Sequence, residues 1–286
     1  MFIIPLSFHI GVQLNLNVER MSRLNRFEQE VEEEIQEEIE IEQIQTSDEN
    51  EFEVDFLECE KRHVFLLLMF VGGFYGAFTY SIRGGVFCNA QTANFVMLAM
   101  SFGTGNWQKG LYYFVPISAY LLGTIVSEAL PNPIKKHHLF RWDTILIGIE
   151  IAAVLFLGFL PESAPFQITQ ITINVITSMQ YNTFRQARGI PMATTFCTNH
   201  VRQLGIHIVK AYKHRKDQSV RSRALLHLGM LAIFALGGMI SAYLCTVFQG
   251  KAIWFTLLPL GFIFIQLVYA DLYKEKEVFE RIPKGH

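Results

Sequence analysis

The stretch Arg83–Asn106, RGGVFCNAQTANFVMLAMSFGTGN, decides how the rest of the chain is read. It lies between two strongly apolar runs, yet Asn89, Gln91, Thr92 and Asn94 cluster at its centre. A lipid-facing helix does not gather four amide and hydroxyl side chains, because each polar group left unsatisfied in hydrocarbon costs free energy. A weaker copy follows at Pro191–Val209, PMATTFCTNHVRQLGIHIV, with Thr198, Asn199, His200 and Arg202. The two stretches are expected to be polar, partly broken helices that face each other inside a membrane bundle.

Composition supports that class. Of 286 residues, 51% are hydrophobic and 25 are Phe, and the mean hydropathy is +0.26. Soluble domains rarely combine so much Phe with long uncharged runs. The net charge of −2 hides a division: residues 1–60 hold 17 acidic residues against 3 Arg, which leaves 9 acidic and 21 basic residues for 61–286. Cys59, Cys88, Cys197 and Cys245 lie far apart, with no CxxC pair and no His at ligand spacing. Neither a disulfide framework nor a metal site is expected, and no cofactor.

Met1–Val18 has an apolar start but no basic n-region and no small-residue cleavage site, so it is not read as a signal peptide. Met21 is an alternative start. Glu28–Glu42 carries Val31, Ile35 and Ile39 at helical spacing, and Thr46–Glu60 is acidic. Residues 1–60 are therefore expected to be a flexible cytosolic leader. Residues 61–275 are read as the integral membrane domain and 276–286 as a tail.

Long apolar runs begin at His63. His63–Tyr80, Leu111–Leu130, Trp142–Leu160, Ala224–Phe248 and Ala252–Tyr273 have the length that crosses ~30 Å of hydrocarbon. Phe166–Phe184 is more polar. Its Gln167, Gln170, Asn174, Thr177 and Tyr181 recur at three- and four-residue steps, which gives a sixth crossing with one polar face turned inward.

An internal repeat links the two polar stretches. Tyr75–Phe78 lies on Tyr181–Phe184 at a shift of 106, and the same shift lays Thr92-Ala93-Asn94 on Thr198-Asn199-His200. Arg83-Gly84 meets Arg188-Gly189 with a one-residue slip, and Gly123–Ser127 matches Gly237–Ser241 at a shift of 114. Each unit reads helix, polar motif, helix: about 63–130 and 166–248, joined by 142–160 and followed by 252–273. If neither motif crosses the bilayer, 17 Lys and Arg collect on one side against Arg83, Lys109 and Lys251 on the other. The positive-inside rule favours that arrangement. Six crossings then put both termini in the cytoplasm and make the repeat inverted; seven crossings, with both motifs as full helices, are the alternative.

With TANF in the first half, CTNH in the second and GGVFCNAQTAN around the first, residues 62–275 resemble the YoaK-like family of predicted multi-spanning bacterial membrane proteins. Members carry a Thr-Gly-Asn-like tripeptide in each half; here the glycine is replaced in both, and His200 stands where the second amide is expected. The resemblance implies a multi-pass protein of the bacterial plasma membrane and no particular substrate.

The fold class expected is thus an all-α, polytopic membrane helix bundle. Glu150 stands alone in the middle of WDTILIGIEIAAVLFLGFL, where a carboxyl is either a neutral helix-to-helix hydrogen-bonding group or a proton-coupling site. Asn89, Gln91, Thr92, Asn94, Gln170, Asn174, Thr198, Asn199, His200 and Arg202 are the other solute- or proton-pathway candidates. For Arg202 with His200 and His207 a cytosolic amphipathic helix lying at the headgroups competes with that reading. There is no HExxH, GxSxG or Walker loop, so no enzyme is expected. The basic loops are too short to fold as a nucleic-acid module. The function expected is a small-solute permease or channel, with a scaffold or sensor as the alternative. The bilayer and an unidentified solute are its partners; a homo-oligomer is compatible with the sequence but not indicated.

Overall fold

A computed structural model describes residues 56–131, 140–213 and 217–276. The leader helix around Val31, Ile35 and Ile39, the alternative start at Met21, and the linker lysines Lys135 and Lys136 lie outside the described residues.

The fold is an all-α bundle. The first unit is α1 (Arg62–Ile82), α2 (Thr92–Gly103) and α3 (Trp107–Ala129). A linking helix, α4 (Trp142–Phe159), leads to the second unit, α5 (Phe166–Thr183), α6 (Thr198–Lys213) and α7 (Gln218–Phe248). A 3-10 segment (Gln249–Thr256), α8 (Leu257–Tyr269) and a short π turn (Ala270–Lys274) close the described chain. The stretches 62–82, 107–129, 142–159 and 218–274 are long and apolar enough to cross a membrane. Helix α2 has 12 residues and is about 18 Å long, well short of ~30 Å of hydrocarbon.

Helix starts follow from local capping. The Asn106 side chain accepts from the Lys109 amide, so α3 begins at Trp107 rather than Leu111. Asp217 accepts from the Ser219 and Val220 amides, which starts α7 six residues before the apolar run at Ala224. The last apolar run is not one helix: it passes from the 3-10 segment into α8 only at Leu257.

Helix directions establish how the units relate. Phe70 faces Gly237, and Arg83 faces Gly250 just beyond α7, so α1 and α7 run parallel. Tyr112 meets Gln170, Gly123 meets Val175 and Ser127 meets Asn182, so α3 and α5 also run parallel. Phe65 packs edge-on against Phe184 while Gln170 reaches the Arg83 carbonyl, so α1 and α5 run antiparallel. Equivalent helices therefore point in opposite directions, and the pairing α1–α7 is reproduced as α5–α3. The repeat is inverted.

Glycine makes both pairings close. A Cβ on Gly237 would overlap the Phe70 carbonyl oxygen, and one on Gly123 would overlap the Val175 carbonyl oxygen. These glycines are matched at the 114 shift, and Phe70 and Val175 correspond to within one residue at the 106 shift. Bare backbone lets the helices approach in both halves.

Helices α4 and α8 run antiparallel beside this core, with Gly158 against Trp254 and Gly148 against Phe264. At one end Arg141, buried, pairs with Asp271 and Glu275. Glu275 also accepts from the Glu58 amide at 2.6 Å. Residues 58–60, which composition groups with the leader, form a buried 3-10 turn in that ionic cluster. Burial pushes the Glu275 carboxyl up, against hydrogen bonding from the Glu58 amide and attraction to Arg141.

Candidate functional site

Past α1 the chain turns at Gly84 (φ 87°) and Gly85 (φ 69°), a left-handed conformation that favours glycine. It then runs back along the helix it has just left. The Cys88 amide donates to the Thr79 hydroxyl at 3.4 Å, and the Asn89 side chain donates to the Gly72 carbonyl at 3.2 Å. Gly72 is the middle residue of α1. From the other side Thr177 of α5 donates to the Cys88 carbonyl at 2.9 Å. Helix α2 starts there and climbs back to the end it came from, where Phe102 packs on Gly110 and Trp107. This is a re-entrant hairpin.

The second hairpin enters from the opposite end. After α5, a two-stranded ribbon, β1 (Gln186–Ala187) and β2 (Ile190–Pro191), turns through Arg188 (φ 48°) and Gly189 (φ 76°). The Arg188 amide donates to the Glu60 carbonyl at 2.9 Å, at the foot of α1. From that level the chain rises until Thr194 and Thr195 press on Gly72, where an added Cβ would stand 2.6 Å from the Thr194 carbonyl oxygen. Helix α6 begins at Thr198 and returns.

The tips touch. The Asn89 side chain donates to the Thr195 carbonyl at 2.9 Å, and the two residues are 106 apart. They are therefore equivalent positions of the repeat, and a position that meets its own image lies on the axis relating the halves. The next contacts obey the same symmetry. Asn94 donates to the Phe87 carbonyl at 2.9 Å, and His200 Nε2 donates to the Ala193 carbonyl at 2.8 Å. His200 does the work of the amide it replaces.

A family described as protein of unknown function (DUF1275) matches residues 64–266, more than half of the chain. The chain belongs to this family. The match spans both hairpins and every candidate residue. Comparison with curated proteins and with solved structures finds no match.

In this DUF1275 chain the amides of the first hairpin form one network. Gln91 donates to Asn174 at 2.7 Å, Asn94 donates to Gln91 at 3.0 Å, and Asn174 donates to the Gln170 carbonyl at 2.7 Å. Gln170 in turn donates to the Arg83 carbonyl at 2.7 Å and meets the Tyr112 hydroxyl. Gln170, Asn174 and Thr177 are wholly buried, as the polar face of α5 requires, whereas Gln167 and Tyr181 are exposed. Three groups at the tips have atoms without a hydrogen-bond partner among the described residues: Asn89 Oδ1, Thr194 Oγ1 and Thr195 Oγ1.

Other candidates lie apart. Thr92 and Thr198 open their helices with exposed side chains, Asn199 is half-buried, and Arg202 is exposed beside Val201 on the outer face of α6. Glu150 is wholly buried in α4. Its polar neighbour is Tyr75, which also faces Thr256, yet neither carboxylate oxygen nor the Tyr75 hydroxyl completes a hydrogen bond of normal geometry among the described residues. The structure thus joins Asn89, Gln91, Asn94, Gln170 and Asn174, places His200 at the equivalent post, and leaves Glu150 outside the hairpin network.

Two features had little sequence signal. Arg83, buried at the end of α1, pairs with Glu162 at 2.8 Å, and Glu162 also accepts from the Gly250 amide at 2.7 Å. The hydrogen bond from Arg83 holds the Glu162 carboxyl below the usual carboxylate range. The second is His227, buried in α7 against His200. A lone histidine in the apolar run ALLHLGML was the only clue.

Proposed function

We propose that this chain is a multi-pass membrane permease for a small solute, with its substrate site at the junction of the two hairpins. The observation that supports this is the meeting of Asn89 and Thr195 at the mid-height of α1, reached by broken chain from opposite ends. Non-helical backbone at membrane depth is tolerated where it is buried in protein or lines a cavity, and paired half-helices are the way many transporters build a midplane site. The N-termini of α2 and α6 both start near that point, so their dipoles favour the electronegative end of a solute. The resemblance to YoaK-like membrane proteins fits the family.

Orientation follows from charge. Arg83, Lys109 and Lys251 share one end of the bundle, while Lys61, Arg62, Arg141, Arg185, Arg188, Lys213 and Lys274 belong to the other. By the positive-inside rule the second end is cytoplasmic, in a plasma membrane. Glu150 is retained as a candidate proton-coupling carboxyl on its burial alone; the permease reading does not depend on it.

The test begins with purified protein in nanodiscs and a thermal-shift screen of small organic acids, amines and sugars. At least one should raise the melting temperature, enter proteoliposomes, and lose both effects in Asn89→Ala. A scaffold or sensor would give no uptake for any stabilising compound, and that outcome would sink the proposal.

A further inference from the structure

The second hairpin contains a titratable cluster that the permease reading leaves unused. His200, in the first turn of α6, and His227, on the facing α7, are 0% and 1% exposed, and their Nδ1 atoms are 3.0 Å apart. His207, two turns along α6, stacks on His227 with ring centroids 5.8 Å apart and an interplanar angle of 10°. The cluster is not a group that could hold a metal ion.

The partners dictate the tautomers. A carbonyl can only accept, so the His200 Nε2 facing the Ala193 oxygen carries hydrogen. In a neutral imidazole that leaves His200 Nδ1 as a lone pair, and the Nδ1 of His227 must then be the donor across the 3.0 Å contact. The basic atom of the pair is therefore His227 Nε2. A proton arriving there converts His227 to an imidazolium and disturbs neither hydrogen bond. The Nδ1 proton can next pass to His200 Nδ1, leaving His227 neutral with its hydrogen on Nε2. A second proton has no place while the contact lasts, because both Nδ1 atoms would carry hydrogens pointing at each other.

We propose that His200 and His227 form a one-proton site, the place where the second hairpin takes up a proton from the basic end of the bundle. The use of that proton rests on the permease reading; the existence of the site does not. The repeat supplies the reason to look for chemistry here. Asn94 makes the same bond to Phe87 that His200 makes to Ala193, so an amide is sufficient to hold a hairpin tip. The histidine adds a second ring nitrogen that can carry a proton, and the position matching His227 in the first unit is Tyr113. The charged and titratable groups facing His227 are His200 and His207 from α6 and Arg223 from its own helix, and positive charge on any of them opposes a proton on His227. The positive end of the α6 dipole disfavours charge on His200, so the bound proton rests on His227.

The test is nitrogen-15 NMR of the full chain in nanodiscs, labelled at histidine. The expected result is a scalar coupling across the Nδ1–H···Nδ1 bond, and a single pH midpoint at which both rings respond to uptake of one proton. His200→Asn should melt close to wild type, because Asn replaces its bond to Ala193, and should abolish the coupling and shift the His227 midpoint. Separate midpoints for the two rings, uptake of two protons by the pair, or a His227 midpoint unchanged by His200→Asn would each overturn the site. If His200→Asn does not fold, the wild-type coupling and proton count still decide. A one-proton titration in a protein that moves no solute would end the permease reading and leave the site standing.

Discussion

Replacing Gly237 by alanine should drive α1 and α7 apart. The new Cβ would overlap the Phe70 carbonyl oxygen and stand 3.0 Å from its carbon and 3.2 Å from the Phe74 nitrogen. All three are backbone atoms of a neighbouring helix, so no side-chain rotation relieves the clash. Overpacking of this kind costs roughly 1–3 kcal/mol. Helix propensity works the other way and returns about 1 kcal/mol, which leaves a net loss of about 1–2 kcal/mol. Gly123→Ala should lose a similar amount, because its Cβ meets the Val175 carbonyl oxygen, the Ser178 hydroxyl and the Val175 Cα. Two neighbours act as controls. A Cβ on Gly238 has its nearest contact at 3.6 Å and one on Gly261 has nothing within 4 Å, so both changes should be neutral or gain up to about 1 kcal/mol. Unfolding of the four variants in one micelle system, followed by tryptophan fluorescence, gives the comparison. Equal stability of Gly237→Ala and Gly238→Ala, or a gain at Gly123, would refute the parallel close packing of α1 with α7 and of α3 with α5.

Asn89→Ala strips the Thr195 carbonyl of its partner and should destabilise by about 1–3 kcal/mol, more than Thr92→Ala, whose exposed side chain bonds nothing at the tip; chemical denaturation of the two variants measures the difference. Glu150→Leu should keep or raise the melting temperature, because the carboxyl completes no hydrogen bond of normal geometry among the described residues and an apolar side chain fills the same site without a buried polar group; a clear fall would show that the contact with Tyr75 stabilises the fold. The Arg83–Glu162 pair has its sign fixed by the lowered carboxyl. Its contribution is present above the ordinary Glu value of about 4.3 and fades as pH falls through the lower folded value. The melting difference between wild type and Glu162→Gln should therefore be largest near neutral pH and close in acid, and a difference constant from pH 7 to 3 would contradict the pairing.

The legible parts of the fold were those written in periodicity. Buried Gln170, Asn174 and Thr177 stand where a three- and four-residue step places them, and the tripeptides at Thr92 and Thr198 open helices 106 residues apart. A pattern read by eye along one chain cannot show which faces meet. Glu150 and Asn89 were equally conspicuous as polar residues in apolar surroundings, yet one turns toward Tyr75 and the other toward Gly72 and Thr195. Arg83 and Glu162 are 79 residues apart and have no periodic relation, so only the folded chain brings them together. The buried turn at Glu58–Glu60 was hidden for a different reason. Its acidic composition matches the leader, and its burial depends on Arg141 and Lys274, which neutralise the end of the bundle from distant elements.

Departures from strict repetition have a geometric cause where the halves touch. A residue on a two-fold axis meets its own image, so two identical large amides at positions 89 and 195 would compete for one volume. The chain places Asn at the first and the smaller Thr at the second, and the Asn89 amide reaches past the axis to the Thr195 backbone. One step off the axis no such competition exists, and Asn94 and His200 perform the same bond in separate surroundings. The two can then diverge without cost to the hairpins. The first hairpin uses that freedom to link Asn94 and Gln91 in series to Asn174 of α5, a helix of the other half. The second has placed histidine against histidine, which gives that tip a pair of rings able to take up a proton. An inverted repeat with a chemically neutral tip on one side and a titratable tip on the other is no longer symmetric in free energy, and pH biases one hairpin without touching the other.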